Sequence, residues 1–202
     1  MTDIIGAKFI LSSPNLKLSQ DLDPKPEVVF IARSNSGKSS LLNALTNQKN
    51  LAKVSSTPGK TRLINFFDVE FLDREDASRH QARFVDLPGF GYAKVSKSLQ
   101  EEWGRELNEF LLRRDEIKLF LHLVDARHPD LAIDKEVALY LEEIKRQNQT
   151  VLRVFTKLDK LNQKEISALK REFPDALMVS SVKRRGISEL IKLIYHNIKE
   201  DQ

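Results

Sequence analysis

Apolar positions along the chain follow two rhythms. Short runs rich in β-branched and aromatic residues read as strands at Glu27–Ile31, Leu63–Leu72, Arg79–Leu87, Leu119–Val124, Val151–Phe155 and Ala176–Val179. Between most of them, apolar residues recur at helical spacing: Lys38–Thr46, with Leu41, Leu42 and Leu45 on one face, then Ser98–Arg113, Asp134–Arg146, Gln163–Phe173 and Ile187–Ile198. The second and third strands have no helix between them. The polar run Asp73-Arg74-Glu75-Asp76 joins them instead and predicts an antiparallel hairpin. Strands alternating with helices predict an α/β fold: a mostly parallel six-stranded sheet with one antiparallel strand and helices on both faces. In such sheets ligands bind at the carboxyl ends of the strands. Asp21 to Pro26, with two prolines, reads as a turn after an N-terminal strand. Residues 1–25 are therefore expected to be an N-terminal extension packed on a domain spanning 26–202.

Composition narrows the class. The 202 residues suffice for one sizeable core, with 41% hydrophobic and 31% charged positions. There is no cysteine, which excludes disulfides and thiolate metal sites. Ile4–Leu11 is broken by Lys8 and too short for a signal core or membrane span, so a cytoplasmic protein with no membrane partner is expected. Against 29 acidic residues stand 33 Lys and Arg, a net charge of +4. That permits a nucleic-acid partner without requiring one.

The chemistry lies directly after predicted strands. Ala32-Arg33-Ser34-Asn35-Ser36-Gly37-Lys38-Ser39 follows Val28–Ile31 and opens a helix. This is a phosphate-binding loop: consecutive backbone N–H groups and the positive end of the helix dipole make an anion site. Lys38 would reach the β and γ phosphates and the Ser39 hydroxyl would hold Mg²⁺. The usual pattern starts with glycine, and here that position is Ala32. If the loop needs backbone angles that a Cβ resists, alanine would cost about 1 kcal/mol and weaken nucleotide affinity.

Asp86-Leu87-Pro88-Gly89 follows the third strand. There Asp86 would accept from a Mg²⁺-bound water and the Gly89 N–H would sense the γ-phosphate. Thr156-Lys157-Leu158-Asp159 follows the fifth strand, and the Asp159 carboxylate can accept two hydrogen bonds from guanine that adenine cannot offer. Ser180-Ser181-Val182 can donate a backbone N–H to the guanine carbonyl. Gly59-Lys60-Thr61-Arg62-Leu63 would form a first switch, with the Thr61 hydroxyl as a second Mg²⁺ ligand. Each segment alone is also good turn chemistry. Their joint order and placement indicate a guanine-nucleotide switch.

Arg33–Ser40, Pro58–Thr61, Asp86-Leu87-Pro88-Gly89-Phe90-Gly91-Tyr92-Ala93 and Thr156–Asp159 together resemble the EngB/YsxC/YihA family along nearly the whole chain. The resemblance implies a P-loop NTPase of the Ras-like G-domain type that binds GTP and GDP with Mg²⁺; a monomer is expected. It also implies association with the large ribosomal subunit and ribosomal RNA, a role in its assembly, and a link to cell division and septation. The catalytic set it implies is Lys38, Thr61 and Gly89.

Ras-type enzymes orient the attacking water with a glutamine after the D-x-x-G glycine. Here that residue is Phe90, so slow intrinsic turnover is expected. Two readings of Asn35 stand side by side: it takes part in catalysis through a bound K⁺, or it only hydrogen-bonds within the loop. Lys53, Lys60, Arg62, Lys94, Lys97 and Lys183-Arg184-Arg185 fall near the same sheet edge and form a candidate RNA surface, with a solvated loop surface as the plain alternative. Trp103, Phe66 and Phe67 are assigned to packing. The runner-up function is a nucleotide-gated ribosome-binding module with negligible hydrolysis.

Overall fold

The computed structural model describes residues 2–19, 21–52, 63–90 and 99–199. Among them seven strands form one sheet: β1 (Thr2–Ser13), β2 (Glu27–Ala32), β3 (Ile64–Asp73), β4 (Arg79–Asp86), β5 (Ile117–Asp125), β6 (Thr150–Thr156) and β7 (Leu177–Met178). Their spatial order is β1-β3-β4-β2-β5-β6-β7. Five helices accompany them: α1 (Lys38–Leu45), α2 (Leu99–Arg113), α3 (Ala132–Ile144), α4 (Gln163–Glu172) and α5 (Ile187–Lys199).

From β2 to β7 this is the expected six-stranded sheet, with β3 the one strand antiparallel to its neighbour β4. The N-terminal strand becomes the seventh, antiparallel to β3 over Thr2–Ser13 against Ile64–Asp73. An N-terminal strand is expected ahead of the Asp21–Pro26 turn, but a long-range partner has no local signature. Boundaries elsewhere shift by a residue or two: α3 starts at Ala132, and β7 keeps only Leu177–Met178 of the expected Ala176–Val179. Inside α2, Gly104 adopts φ 67 and ψ 163 and breaks the helix. Apolar spacing carries no trace of that break, because a glycine without a Cβ interrupts a helix without disturbing its pattern.

β2 is buried along its full length, as expected for the centre of a two-sided sheet. Val28 and Phe30 face Leu41, Leu42, Leu190 and Ile194 of α1 and α5. Val29 and Ile31 face Phe110, Val137 and Leu141 of α2 and α3. On that second side Val124 and Phe155 pack with Ile166 and Leu169 of α4. Phe66 and Phe67 are core residues, 0% and 2% exposed. The side chain of Trp103 lies outside the described residues.

The amino end of β2 is closed by charge. Glu27 is fully buried and accepts from Arg114 at 2.8 and 3.0 Å. Arg83, also fully buried, reaches Asp68 at 2.8 Å, Asp23 at 2.8 Å and Glu27 at 3.4 Å. At the other end, β2, β4, β5 and β6 release their chains on one shared edge, through parallel register. Among the described residues no helix is long and apolar enough to cross a membrane.

Candidate functional site: a phosphate loop braced by two neighbouring loops

Arg33 to Gly37 connects β2 to α1 as a tight turn. The Ser36 N–H and Oγ both donate to the Arg33 carbonyl, at 3.2 and 2.8 Å. Gly37 precedes α1 with φ 94. A Cβ there would meet Lys157 Cε at 3.5 Å, ordinary contact, so backbone conformation rather than space selects glycine. Asn35 has φ 64 and is exposed. Asparagine is among the few residues that adopt this geometry readily.

Ala32 does not meet the strain expected of it. It is the last residue of β2, pairs with Leu123 of β5 and is fully buried. Its φ is not positive. The left-handed angles occur later in the loop, at Asn35 and Gly37. A Cβ on Ala32 therefore carries no backbone penalty of the kind a glycine would relieve.

Asp86-Leu87-Pro88-Gly89 lies beside this loop. The Phe90 N–H donates to the Ala32 carbonyl at 3.2 Å, and the Ser34 N–H donates to the Phe90 carbonyl at 3.1 Å. These bonds draw Gly89 against Ser34 so closely that a Cβ on Gly89 would sit 2.9 Å from the Ser34 nitrogen and 2.8 Å from its hydroxyl. Phe90 itself is 1% exposed and packs in the α2–α3 core. Lys38 pairs with Asp86, whose other oxygen lies 3.4 Å from the Asn65 amide. Burial pushes the Lys38 ammonium down, to about 7. A directly bonded anion counters that, and Asp86 supplies one here.

On the far side, Thr156 and Lys157 grip the loop. The Thr156 hydroxyl donates to the Ser36 carbonyl at 2.5 Å, and the Lys157 ammonium donates to the Asn35 carbonyl. The Leu158 N–H donates to the Val179 carbonyl at 3.1 Å and its side chain is buried under α4. Asp159 accepts from the Ser180 hydroxyl at 2.5 Å, and that hydroxyl in turn accepts from the Lys183 N–H at 3.0 Å. Ser180 is thus a buried prop for Asp159, while Ser181 is half-exposed and Val182 is 76% exposed. Leu63 is described and exposed. Gly59, Lys60, Thr61 and Arg62 lie outside the described residues, as do Lys53, Lys94 and Lys97.

Three side chains that the motifs do not cover belong to the same edge. Asp125, the last residue of β5, is 4% exposed and accepts from Lys157 at 2.9 Å and from Arg127 at 2.6 and 2.9 Å. Burial pushes its carboxyl up, but the hydrogen bonds from Arg127 and Lys157 prevail and hold it well below the ordinary carboxylate range. Asp134 of α3 is 2% exposed and takes Arg33 Nε at 2.9 Å. His122 of β5 lies 3.7 Å from the other Asp134 oxygen, and burial pushes its imidazole below its ordinary value. Asp125 has one signal in the sequence: it directly follows the predicted strand Leu119–Val124, the place in which the other candidate groups also fall.

Similarity to known proteins identifies the arrangement. A family model described as 50S ribosome-binding GTPase matches residues 27–157. Proteins described as probable GTP-binding protein EngB match almost end to end. The one from Aliarcobacter butzleri strain RM4018 is 51% identical over 191 residues, covering 93% of this chain and 94% of its own. One from Campylobacter jejuni subsp. jejuni strain 81-176 is 52% identical, covering 95% of each. This chain belongs to the EngB family of GTP-binding proteins. As an EngB-family member it carries a GTPase domain on a P-loop fold. A crystal structure of an Aquifex aeolicus Era variant bound to GDP.AlF4- superposes with a TM-score of 0.64 at 26% identity, over 89% of this chain. The chain spans 59% of the length of that Era structure. A crystal structure of a probable GTP-binding protein engB, at 22% identity, shares the fold with a TM-score of 0.57 over 86% of this chain and 99% of that one.

Proposed function

We propose that the protein is a slow GTPase that acts as a guanine-nucleotide switch in assembly of the large ribosomal subunit, in the cytoplasm. One observation carries this reading. Asp159, steadied by Ser180, sits two residues from Lys157, whose ammonium bonds the phosphate loop at Asn35. The group that would read guanine is thereby tied to the loop that would hold the phosphates. In this reading the backbone from Ala32 to Ser39 cradles the phosphates, Thr156 and Lys157 brace it, and Ser181 and Val182 carry backbone N–H groups beside the base.

The oxygen chemistry suits Mg²⁺, a hard cation that prefers hydroxyl, carboxylate and phosphate oxygens. Ser39 and Thr61 would hold it directly and Asp86 through water. Bound there, it would neutralise charge developing on the transferred phosphoryl group. For that, the Lys38–Asp86 pair must open and hand Lys38 to the β and γ phosphates. Gly89, pressed on Ser34, would then report the γ-phosphate to the second switch.

Slow turnover follows from Phe90. A side chain in the hydrophobic core cannot orient water, so position 90 does not supply the group that Ras-type enzymes place there. K⁺ near Asn35 would supplement catalysis. Equal turnover in KCl and NaCl would overturn that part. The ribosomal role is supported by the description of the matching family model, 50S ribosome-binding GTPase. Contact with ribosomal RNA, though not the choice of subunit, is also supported by Era, which has been crystallised with MgGDPNP and nucleotides 1506–1542 of 16S ribosomal RNA. Exposed Lys183, Arg184 and Arg185 would meet RNA phosphates, which predicts affinity that falls with salt. The deciding experiment measures GTP turnover with and without large ribosomal subunits. Low basal turnover that subunits raise, with GDP competing and ATP failing to compete, is the expected result. ATP competing as well as GDP would overturn guanine selectivity.

A further inference from the structure

The motifs that recognise nucleotide account for Lys157 but not for what fixes its direction. Lys157 has a flexible stem and occupies a left-handed backbone conformation, φ 58, rare for a residue with a long side chain. Left to itself its ammonium would sample solvent. It is instead held at two points, the Asn35 carbonyl in the phosphate loop and the Asp125 carboxylate, the latter at 2.9 Å. Its stem passes over Gly37, with Cε 3.5 Å and Cγ 3.8 Å from where a Cβ would stand. Asp125 is itself immobilised. It is 4% exposed, closes β5, and is clamped by the Arg127 guanidinium through both oxygens and by the Arg127 N–H at 3.1 Å.

We propose that Asp125 is a positioning residue for nucleotide binding: it aims Lys157 across the phosphate loop and thereby sets affinity for the whole nucleotide while leaving base choice to Asp159. The physical reason is division of labour. Asp159 offers a carboxylate to hydrogen-bond the base edge, so its loss should change which base is preferred. Lys157 offers an alkyl stem and a brace on the loop. Neither tells guanine from hypoxanthine, so a misdirected Lys157 should weaken every purine nucleotide alike. A charge-assisted bond to a fixed, buried carboxylate is strong enough to overcome the rotamer freedom of a lysine. Arg127 shields the rest of that carboxylate, so Asp125 does not act as a general acceptor for ligand groups.

This inference rests on the guanine-nucleotide reading above, and its test separates the two. Full-length wild type, D125A, D125N, K157A, D125A/K157A and D125N/K157A are titrated with GDP, the non-hydrolysable analogue GDPNP and IDP. Thermal melting of the nucleotide-free proteins runs alongside. D125A is expected to lower affinity about tenfold or more for all three ligands. The GDP-to-IDP ratio should stay within about twofold of wild type, and D125N should fall between the two. In the K157A background, D125A should add less than about twofold, because the residue it aims is gone. Should D125A fold poorly, D125N in the same cycle gives the same reading, since it keeps the shape and removes the charge. Unchanged affinities in D125A or D125N overturn the proposal. So does an equal loss with and without Lys157, which would mean that Asp125 acts through the fold. A changed GDP-to-IDP ratio overturns the division of labour with Asp159. Wild type that binds no guanine nucleotide overturns the underlying reading itself.

Discussion

The two ends of β2 carry equally dense charge and use it in opposite ways. At the amino end Glu27, Arg83 and Arg114 are 0%, 0% and 3% exposed, and their charges are met by one another and by Asp68, Asp23 and nearby backbone. At the carboxyl end Lys38, Asp86, Lys157, Asp125 and Asp159 are also largely covered, but the pairs lie around a loop of backbone donors rather than sealing a core. The amino-end cluster is a finished structure. Taking away one member leaves a buried charge with nothing to replace it. In the proposed reading the carboxyl-end pairs are exchangeable: Lys38 would trade Asp86 for phosphate, because both are anions. The same chemical parts thus lock a fold at one end and await a ligand at the other. Burial alone does not distinguish the two ends. What distinguishes them is whether each charge has a partner that a ligand can imitate.

The largest effect expected from breaking this contrast is at the amino end. R114A leaves buried Glu27 with only the longer Arg83 contact at 3.4 Å and should destabilise the fold by about 3 kcal/mol in urea denaturation, with affinity for GDP unchanged in the fraction that folds. A comparable loss of affinity in folded protein would show that the two ends are not independent. At the carboxyl end the ranking reverses. D159A should cost about 1.5–3 kcal/mol of GDP binding, roughly 10–150-fold, read by calorimetry, and should shift the melting temperature of the nucleotide-free protein little.

G89A tests the contact between the loops. Its Cβ cannot occupy space 2.9 Å from the Ser34 backbone, so the two loops must part. Single-turnover GTP hydrolysis should drop about 10–100-fold, while GDP affinity changes less. Retained turnover would mean that Gly89 and Ser34 can separate without consequence.

Asp125 gives a smaller, pH-dependent effect. Its pKa is depressed in the fold from an ordinary value of 3.8, so its stabilising contribution is complete above that value and is lost as the pH falls through the folded one. The stability gap between wild type and D125N should be constant from about pH 5 to 7 and narrow steadily in acid below about pH 4. A gap independent of pH would point to packing instead of charge.

The smallest effect belongs to Ala32. A32G should leave GDP and GTP affinity within about twofold and should cost about 0.5–1 kcal/mol of stability, because glycine loses more freedom than alanine when fixed in a strand. Tighter nucleotide binding by A32G would restore the strain argument that the strand conformation of this residue removes.

Much of the edge that carries the site was legible in advance, and the reason is local. A phosphate loop must follow a strand and open a helix, a turn must carry glycine where φ is positive, and a base-reading carboxylate must follow another strand. Each requirement is met by consecutive residues. Gly37, Lys38, Asp86 and Asp159 could therefore be named as candidates from their neighbours alone, and the structure places them around one edge of the sheet. Phe90 was legible as a missing glutamine, although its place in the core was not. Ala32 shows the limit of motif reading. The pattern marks the position for glycine, but the angle that demands glycine falls five residues later, at Gly37.

From the sequence by itself came the order of strands and helices, the hairpin, and the candidate residues in the loops at the strand ends, because hydrophobic periodicity and turn chemistry act over a few residues. Only the tertiary structure decided which distant charges meet. Asp125 holds Lys157 across 32 residues, Asp134 holds Arg33 across 101, and Glu27 is met by Arg114 across 87. β1 finds β3 in the same way. Such pairings depend on sheet order and strand register, which emerge only when the whole core closes, and no short stretch of chain encodes them.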